Sequence, residues 1–451
     1  MESIIQSQKA YFKTHATRPL SARLEALTTL ENLIVDNEQK IKDALKKDLN
    51  KSSFEAYTTE IGFALHSLRK TKKKLKRWMK AEKVRTPLYH AFTKSYVKPE
   101  PKGTVLIIGP YNYPFQLVVE PLIGALSAGN TAIVKPSEFP SYTEALIETL
   151  FNEAFDPRLL KVISGGVEVT KSLLEHAYDH IFFTGSSRVG QIVYEAASKH
   201  LTPVTLELGG KTPTIVSEHA NLQRAAERIA FGKLLNAGQT CIAPDHIYVH
   251  TSVKEAFKDK LIQTFDAFYQ TEASRYPVII NDKHFKRIVE MIDREKVVYG
   301  GSVDEEKRLI VPTIMDNIQT SDAVMKEEIF GPLMPLLTYN DLGTLIESLN
   351  DEPSPLALYM FSENKTELER VFDDVRFGGG AMNDTITHVA NPNLPFGGVG
   401  RSGFGQYHGY YSFKEFSHFK TYIKKSTRFD PGLTKPPYDA KKERLVKKVL
   451  K

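Results

Sequence analysis

Cys241 is the only cysteine in a chain of 451 residues, and it closes the short run Gly238-Gln239-Thr240-Cys241. A lone thiol can form neither an intramolecular disulfide nor a multi-cysteine metal site. Two uses remain at this point: a small apolar filler of the core, or a nucleophilic thiolate. A second candidate for chemistry is Thr184-Gly-Ser-Ser-Arg-Val-Gly190, a turn bracketed by glycines that opens a helix. It could aim backbone N–H groups and a helix dipole at a pyrophosphate, or it could be a tight packing turn. The third is Glu207-Leu-Gly-Gly-Lys211, whose glycines suit a sharp crossing between domains. There the carboxylate would face the interdomain cleft, cap the next segment, or pair with Lys211.

These residues need elements to position them. Up to about residue 80 the chain reads as helices, with Ile61, Leu65, Leu68, Leu75 and Met79 at helical spacing against a charged face. From Lys83 to Pro101 alternating and β-branched residues between prolines predict a β-hairpin. Between Gly103 and Leu208 short apolar runs alternate with helical patterns, at 104–108, 131–134, 160–163, 180–183 and 204–206. Such runs indicate a parallel sheet covered on both faces, a doubly wound α/β domain that binds ligands beyond the carboxyl ends of its strands. A second α/β region follows Gly209, with strands expected at 214–216, 246–249, 309–311, 333–337 and 356–361 and a helix from Leu222 to Leu235. Cys241 falls in the loop after that helix.

Composition narrows the class. A chain of this length implies two or three domains, and 41% hydrophobic with 25% charged residues is ordinary for a globular protein. No apolar run is long enough to span a bilayer, and the N-terminus lacks the order of a secretory signal, so a cytoplasmic location is expected. The net charge of +6 is concentrated between Arg69 and Arg85 and in the tail from Lys420. Neither segment has the aromatic interleaving or zinc-finger spacing of a nucleic-acid reader, and no nucleic-acid partner or metal site is expected.

Six motifs together carry a resemblance. Tyr111-Asn-Tyr-Pro114 after Pro110, Phe183-Thr-Gly-Ser186, Glu207-Leu-Gly-Gly-Lys211, Gly238-Gln-Thr-Cys241, Glu327-Glu-Ile-Phe-Gly-Pro332 and Pro395-Phe-Gly-Gly398 occur in the order and spacing of the NAD(P)-dependent aldehyde dehydrogenase superfamily. The likeness runs from about Lys9 to Lys420, and Phe404 to Phe413 is most similar to the class 3, fatty and aromatic aldehyde branch. The resemblance implies an aldehyde dehydrogenase-like fold of two doubly wound domains with a small β bridging element that supports a homodimer. Its parts would be 1–82 and 101–208 for NAD(P), 209–385 for catalysis, 83–100 and 386–425 for the bridge, and 426–451 as a basic tail.

The resemblance also implies roles. A thiohemiacetal alkoxide gives up hydride where an aldehyde does not, so Cys241 would be the nucleophile. Asn112 and the Cys241 backbone N–H would hold the oxyanion, and Glu207 would deprotonate the hydrolytic water. The cofactor would lie on Pro110, Lys135, Glu138, Gly166, Thr184, Gly185, Ser186, Val189 and Leu208, with Glu328 on the nicotinamide ribose and Phe330 nearby. A carboxylate at Glu138 repels a 2′-phosphate, so NAD is the expected cofactor, with NADP also accepted once the glutamate turns aside.

Phe63, Tyr113, Leu117, Phe231 and Phe396 match tunnel positions, and with no cation among them they favour medium or long aliphatic, aromatic or isoprenoid aldehydes over carboxylated ones. His388 and His408 are not expected to be catalytic. A CoA-acylating relative is the leading alternative, though it would not need Glu207; a cofactor-independent thiol esterase or a binding protein is a weaker one. In the tail, Asp430-Pro-Gly432 and Lys435-Pro-Pro-Tyr438 precede a basic amphipathic segment from Asp439 to Lys451. Its apolar residues Ala440, Leu445, Val446, Val449 and Leu450 suit a helix that covers the substrate entrance or rests weakly on anionic membrane; a frayed end is the plain alternative.

Overall fold

The computed structural model describes residues 1–87, 90, 92–428, 432 and 435–450; Asp430, Pro431, Lys451 and the side chain of Val449 lie outside them. Two parallel sheets dominate it, as the alternating apolar runs require. The first has the strand order Gly403–Phe404, Val204–Leu208, His180–Gly185, Thr104–Ile108, Thr131–Lys135, Leu160–Val162, all parallel except the two-residue edge strand. Every residue of 104–108, 131–135 and 204–208 is buried, which is why these strands read as unbroken apolar runs rather than alternations. Helix Gln116–Ala128 is buried along its whole length, sandwiched between this sheet and the helices Leu20–Asp36 and Gly62–Trp78.

The second sheet runs Val297–Tyr299, Thr313–Met315, Leu333–Tyr339, His246–His250, Pro213–Val216, Ala357–Phe361, Gly379–Met382. It is parallel except for its first pair. Here the sequence reading needs two corrections. The run expected as a strand at 309–311 is a two-residue strand, Leu309–Ile310, paired only with Val303–Asp304 in a separate ribbon. Arg308 with φ +54° on one side and Pro312 on the other cut it too short to join the sheet. Conversely, Gly379–Met382 is a strand without β-forming residues. A Cβ on Gly380 would lie 2.3 Å from the carbonyl oxygen of Leu358, its parallel partner, so close backbone approach explains the glycine.

The hairpin expected at 83–101 is present as Glu82–Val84 against Thr93–Pro101, and Ser417–Lys425 pairs antiparallel along the whole of the longer strand. The tail forms helix Ala440–Val449, capped by Asp439, with Leu445 and Leu450 exposed. Among the described residues no helix is long and apolar enough to cross a membrane.

Candidate active site

Helix Leu222–Leu234 ends in a turn that takes three successive residues, Asn236, Ala237 and Gly238, through positive φ of 51°, 52° and 72°. A Cβ at Gly238 would sit 2.3 Å from the Gly331 carbonyl oxygen, so this reversal admits only glycine there. The chain then runs Gln239-Thr240-Cys241, and side chains fix it from several sides. Gln239 Nε2 donates to the carbonyls of Asn236 (3.1 Å) and Val278 (3.0 Å), while its Oε1 accepts from Ile280 N–H (3.1 Å). Tyr113 and Thr240 share a hydroxyl hydrogen bond of 2.6 Å. Asn112, 3% exposed, donates from Nδ2 to the Gln239 carbonyl at 3.0 Å. The structure thus joins the asparagine to the thiol loop, leaving the other N–H of that amide for a ligand.

Burial, then Glu328 and Glu207, push the Cys241 thiol well above its ordinary range; the N–H groups of Cys241 and Ile242 pull weakly the other way. The resting thiol is therefore neutral, and a base must take its proton. Glu207 is 3% exposed and neither of its oxygens has a hydrogen-bond partner. Burial, reinforced by Glu415, holds its pKa well above that of an ordinary carboxyl. It neither caps a helix nor pairs with Lys211, whose Nζ binds Asp245 at 2.6 Å and the carbonyls of Val324 and Glu327. Glu328 is pushed up to about 8 by burial and Asp245, and it accepts from the Gly210 N–H.

The residues expected to hold a dinucleotide line up along the carboxyl edge of the first sheet. Pro110 follows strand 104–108, and Lys135 ends strand 131–135 with Nζ on Glu138 (3.0 Å) and the Pro136 carbonyl (2.7 Å). At Gly166, which precedes helix Val167–Leu174, an added Cβ would meet nothing within 4 Å. Strand 180–185 delivers Thr184 and Gly185 to Ser186, whose hydroxyl accepts from Val189 N–H at the start of helix Ser187–Ser198. Thr184 Oγ1 is buried without a partner. An open glycine, an orphaned hydroxyl and a helix start at one sheet edge fit a bound pyrophosphate and ribose. Leu208 packs beneath Gly190. Phe330, at φ +49°, lies edge-on to Tyr111 with ring centres 5.8 Å apart.

Of the expected tunnel residues, Phe63 and Phe396 are brought together through His408. That ring is 5.7 Å from Phe63, and it stacks on Phe396 at 5.3 Å. Phe63 and His408 line a cavity of about 450 Å³ together with Tyr57, Glu120 and Val389. Tyr113 and Leu117 are buried. Phe231 departs from the expectation, standing 48% exposed on helix 222–234 because its position in the helical repeat turns it toward solvent.

Residues 1–422 match the family model described as the aldehyde dehydrogenase family. The chain belongs to the aldehyde dehydrogenase family. It is 50% identical over 446 residues to the 4,4′-diaponeurosporen-aldehyde dehydrogenase of Staphylococcus aureus, covering 98% of this chain and 97% of that one. It is 41% identical over 449 residues to the dimeric NADP-preferring aldehyde dehydrogenase of Mus musculus, covering 98% and 99%; further relatives are family 3 members, as the class 3 likeness implied. A solved structure of Staphylococcus aureus AldH in a substrate-bound state superimposes with a TM-score of 0.98 at 50% identity, over 100% of this chain and 99% of the other. The protein is thus an aldehyde dehydrogenase, an oxidoreductase of a family that uses NAD(P).

Several residues of the cavity and of the Asn112 loop were not singled out from sequence. Glu120 sits in the cavity wall beside His408, 1% and 3% exposed, Lys51 and Asn236 bind the Asn112 carbonyl, and Glu60 binds the Phe115 N–H. His408 is kept neutral, its pKa pulled down to about 4 by burial, and so contributes a flat apolar face rather than a charge. Nothing in the spacing of Lys51 or Glu60 betrays them, because the contact is made by tertiary packing.

Proposed function

We propose that this aldehyde dehydrogenase oxidises apolar aldehydes, of medium or long aliphatic, aromatic or isoprenoid kind, with Cys241 as nucleophile, Asn112 as oxyanion donor and Glu207 as base. The observation that carries the reading is the Asn112 amide fixed on the Gln239 carbonyl, two residues before a thiol that burial keeps neutral. With Glu207 ionised, its carboxylate takes the Cys241 proton while Sγ bonds to the carbonyl carbon. The free N–H of Asn112 and the Cys241 backbone N–H then stabilise the oxyanion where charge develops. Pro110, Lys135, Glu138, Gly166, Thr184, Gly185, Ser186, Val189, Leu208, Glu328 and Phe330 would hold NAD(P), which when bound accepts the hydride lost from that carbon. Once that first proton has passed to solvent, Glu207 deprotonates a water that adds to the thioester; the C–S bond breaks, the carboxylic acid leaves and the sulfur of Cys241 is released. A CoA-acylating enzyme would not need that last step, so product analysis with and without CoA separates the two readings.

The substrate class rests on the cavity walled by Phe63 and on Phe396 behind it. Arg69 also lines the cavity, its Nε on Glu31 at 2.7 Å. The Staphylococcus aureus relative is named for an isoprenoid aldehyde, which agrees with such a cavity. Comparing kcat/KM for hexanal, decanal, benzaldehyde and succinic semialdehyde tests the reading. Decanal is expected to lead, and a preference for the semialdehyde would overturn it.

NAD is the proposed preferred cofactor, with NADP accepted. Lys135 pairs with Glu138 at 3.0 Å, and the glutamate side chain is partly exposed. Glu138→Gln removes the like charge that meets a 2′-phosphate, so NADP activity should rise relative to NAD; equal ratios in variant and parent count against the idea. We further propose a cytoplasmic homodimer whose tail helix rests weakly on anionic membrane. On that helix Leu445 and Leu450 are exposed beside its basic residues. Deleting 439–451 should lower liposome association at low salt and leave activity on a short aldehyde intact; unchanged association removes the membrane role.

A further inference from the structure

Beneath Asn112 lies a buried ion pair that the reaction itself does not use. Lys51 and Glu60 are both 0% exposed, with Nζ and Oε1 2.5 Å apart. Lys51 ends the segment after helix Glu38–Leu49, and Glu60 sits in a π-helical turn, Tyr57–Ile61, whose wide pitch turns its side chain inward. Both partners reach past each other to the loop that carries Asn112. The Lys51 ammonium donates to the Asn112 carbonyl at 3.0 Å and lies 4.0 Å over the Tyr113 ring. The second carboxylate oxygen of Glu60 accepts from the N–H groups of Phe115 (2.9 Å) and Gln116 (3.2 Å). The loop from Asn112 to Gln116 is thus held at one end by the cation and at the other by the anion of a single pair.

The clamp extends to the thiol loop. Asn236 Nδ2 donates to the same Asn112 carbonyl (2.9 Å) and to the Gln239 carbonyl (3.1 Å), the latter also taking the Asn112 side-chain amide. Asn236 in turn is fixed through its own N–H by Glu55 at 2.8 Å. Two donors on the Asn112 carbonyl leave its peptide one position, and the side-chain amide then has one direction in which to present its remaining N–H. A buried charge pair costs desolvation that an apolar pair would not, so its presence here asks for a reason in geometry.

We propose that Lys51 and Glu60 are positioning residues for the oxyanion donor: their ion pair fixes the Asn112 loop so that the amide N–H meets charge as it develops on the substrate oxygen. The inference rests on the reading of Asn112 as that donor. An oxyanion donor works only when held in place before the reaction, and this pair is what holds it.

The test separates two reactions of the same thiol in the full-length enzyme without cofactor. With p-nitrophenyl acetate, an Sγ–C bond forms through an oxyanion and p-nitrophenolate departs; with iodoacetamide, Sγ displaces iodide from a saturated carbon and no oxyanion arises. Lys51→Met alone leaves Glu60 unpaired in the interior and strains folding, so the double variant Lys51→Met/Glu60→Gln accompanies it, with a cooperative thermal transition as the check that it folds. The double variant is expected to acylate at least about tenfold more slowly than the parent while alkylating within about twofold. In an Asn112→Ala background the same two changes should add nothing further. If Asn112→Ala itself acylates normally, the reading of Asn112 fails. If Asn112→Ala is slow and the double variant is not, or if the double variant slows both reactions alike, the positioning role is overturned.

Discussion

The two sides of the reacting centre are built in opposite ways. On the nucleophile side, polar groups are tied down: Asn112, Asn236, Gln239, Lys51 and Glu60 each hold at least two hydrogen bonds or ion contacts. On the base side Glu207 is as deeply buried, yet neither of its oxygens has a partner. An unpartnered buried carboxyl is costly and persists only where it serves a purpose. The difference fits the roles proposed for each side. An oxyanion donor must already be in place when charge appears, whereas a base that serves first the thiol and then a water gains nothing from a fixed partner.

The largest effect expected from breaking this contrast is on the slack side. Glu207→Gln should lower steady-state turnover by about 10²–10⁴ while leaving a single-turnover burst of NADH, because only the second proton transfer lacks a substitute once a bulk base has ionised the thiol. A burst followed by normal turnover would remove Glu207 from the role. The parent should also gain turnover as pH rises into the alkaline range: burial raises the Glu207 pKa, and the base acts only when ionised. That rise should vanish in the variant.

On the tied side, Asn112→Ala should slow the burst itself by about 10²–10³, the usual cost of one oxyanion donor. Stopped-flow measurement of the first turnover distinguishes the two halves of the site, since the glutamine variant keeps its burst amplitude and the alanine variant loses burst rate. Equal bursts in both variants would mean that the two sides are not specialised as described.

The legibility of these two halves in the sequence was unequal, for a physical reason. Cys241, Asn112 and Glu207 were legible as candidates through the family motifs that carry them, whose glycines and prolines mark local turns, Glu207 itself standing in strand 204–208 just before its glycine pair. The parallel strands at 104–108 and 131–134 were legible because burial on both faces leaves a continuous apolar run. Lys51 and Glu60 were not, since a lysine and a glutamate nine residues apart read as ordinary helix surface until the fold buries them. Gly379–Met382 failed for the complementary reason: its pairing depends on space beside Leu358 rather than on β propensity.

Glu120 offers a way to sharpen the comparison through stability. Like Glu207 it has an unpartnered oxygen, Oε1, while Oε2 accepts from Ser67 at 2.9 Å, and burial raises its pKa to about 8. Below the unfolded value of 4.5 both states hold the proton and the group has no effect on stability. Between 4.5 and about 8 the folded state keeps the proton that the unfolded chain has released. Stability therefore falls with rising pH by on the order of 1 kcal/mol per unit. Glu120→Gln should flatten that fall, which urea midpoints at about pH 5 and about pH 8 would show. A parallel pH profile in parent and variant would mean that Glu120 is already ionised in the fold.

The smallest expected effect comes from the tied side again, at Tyr113. Its hydroxyl is 2.6 Å from Thr240 Oγ1, one residue before the nucleophile, and its ring faces the Lys51 ammonium. Tyr113→Phe keeps the ring, and with it the cation contact and the packing, but removes the bond to Thr240. A neutral hydrogen bond of this kind contributes about 1 kcal/mol, and leaving Thr240 Oγ1 buried without a partner adds to the loss. Because Asn112 and Gln239 still hold the loop, the burst should slow by only about fivefold, within that energy, with steady-state turnover following it. Tyr113→Ala, which also strips the ring from beneath Lys51, should cost distinctly more. If the two substitutions slow the burst equally, the hydroxyl rather than the ring carries Tyr113's share of the clamp, and the Lys51 contact with it is packing alone.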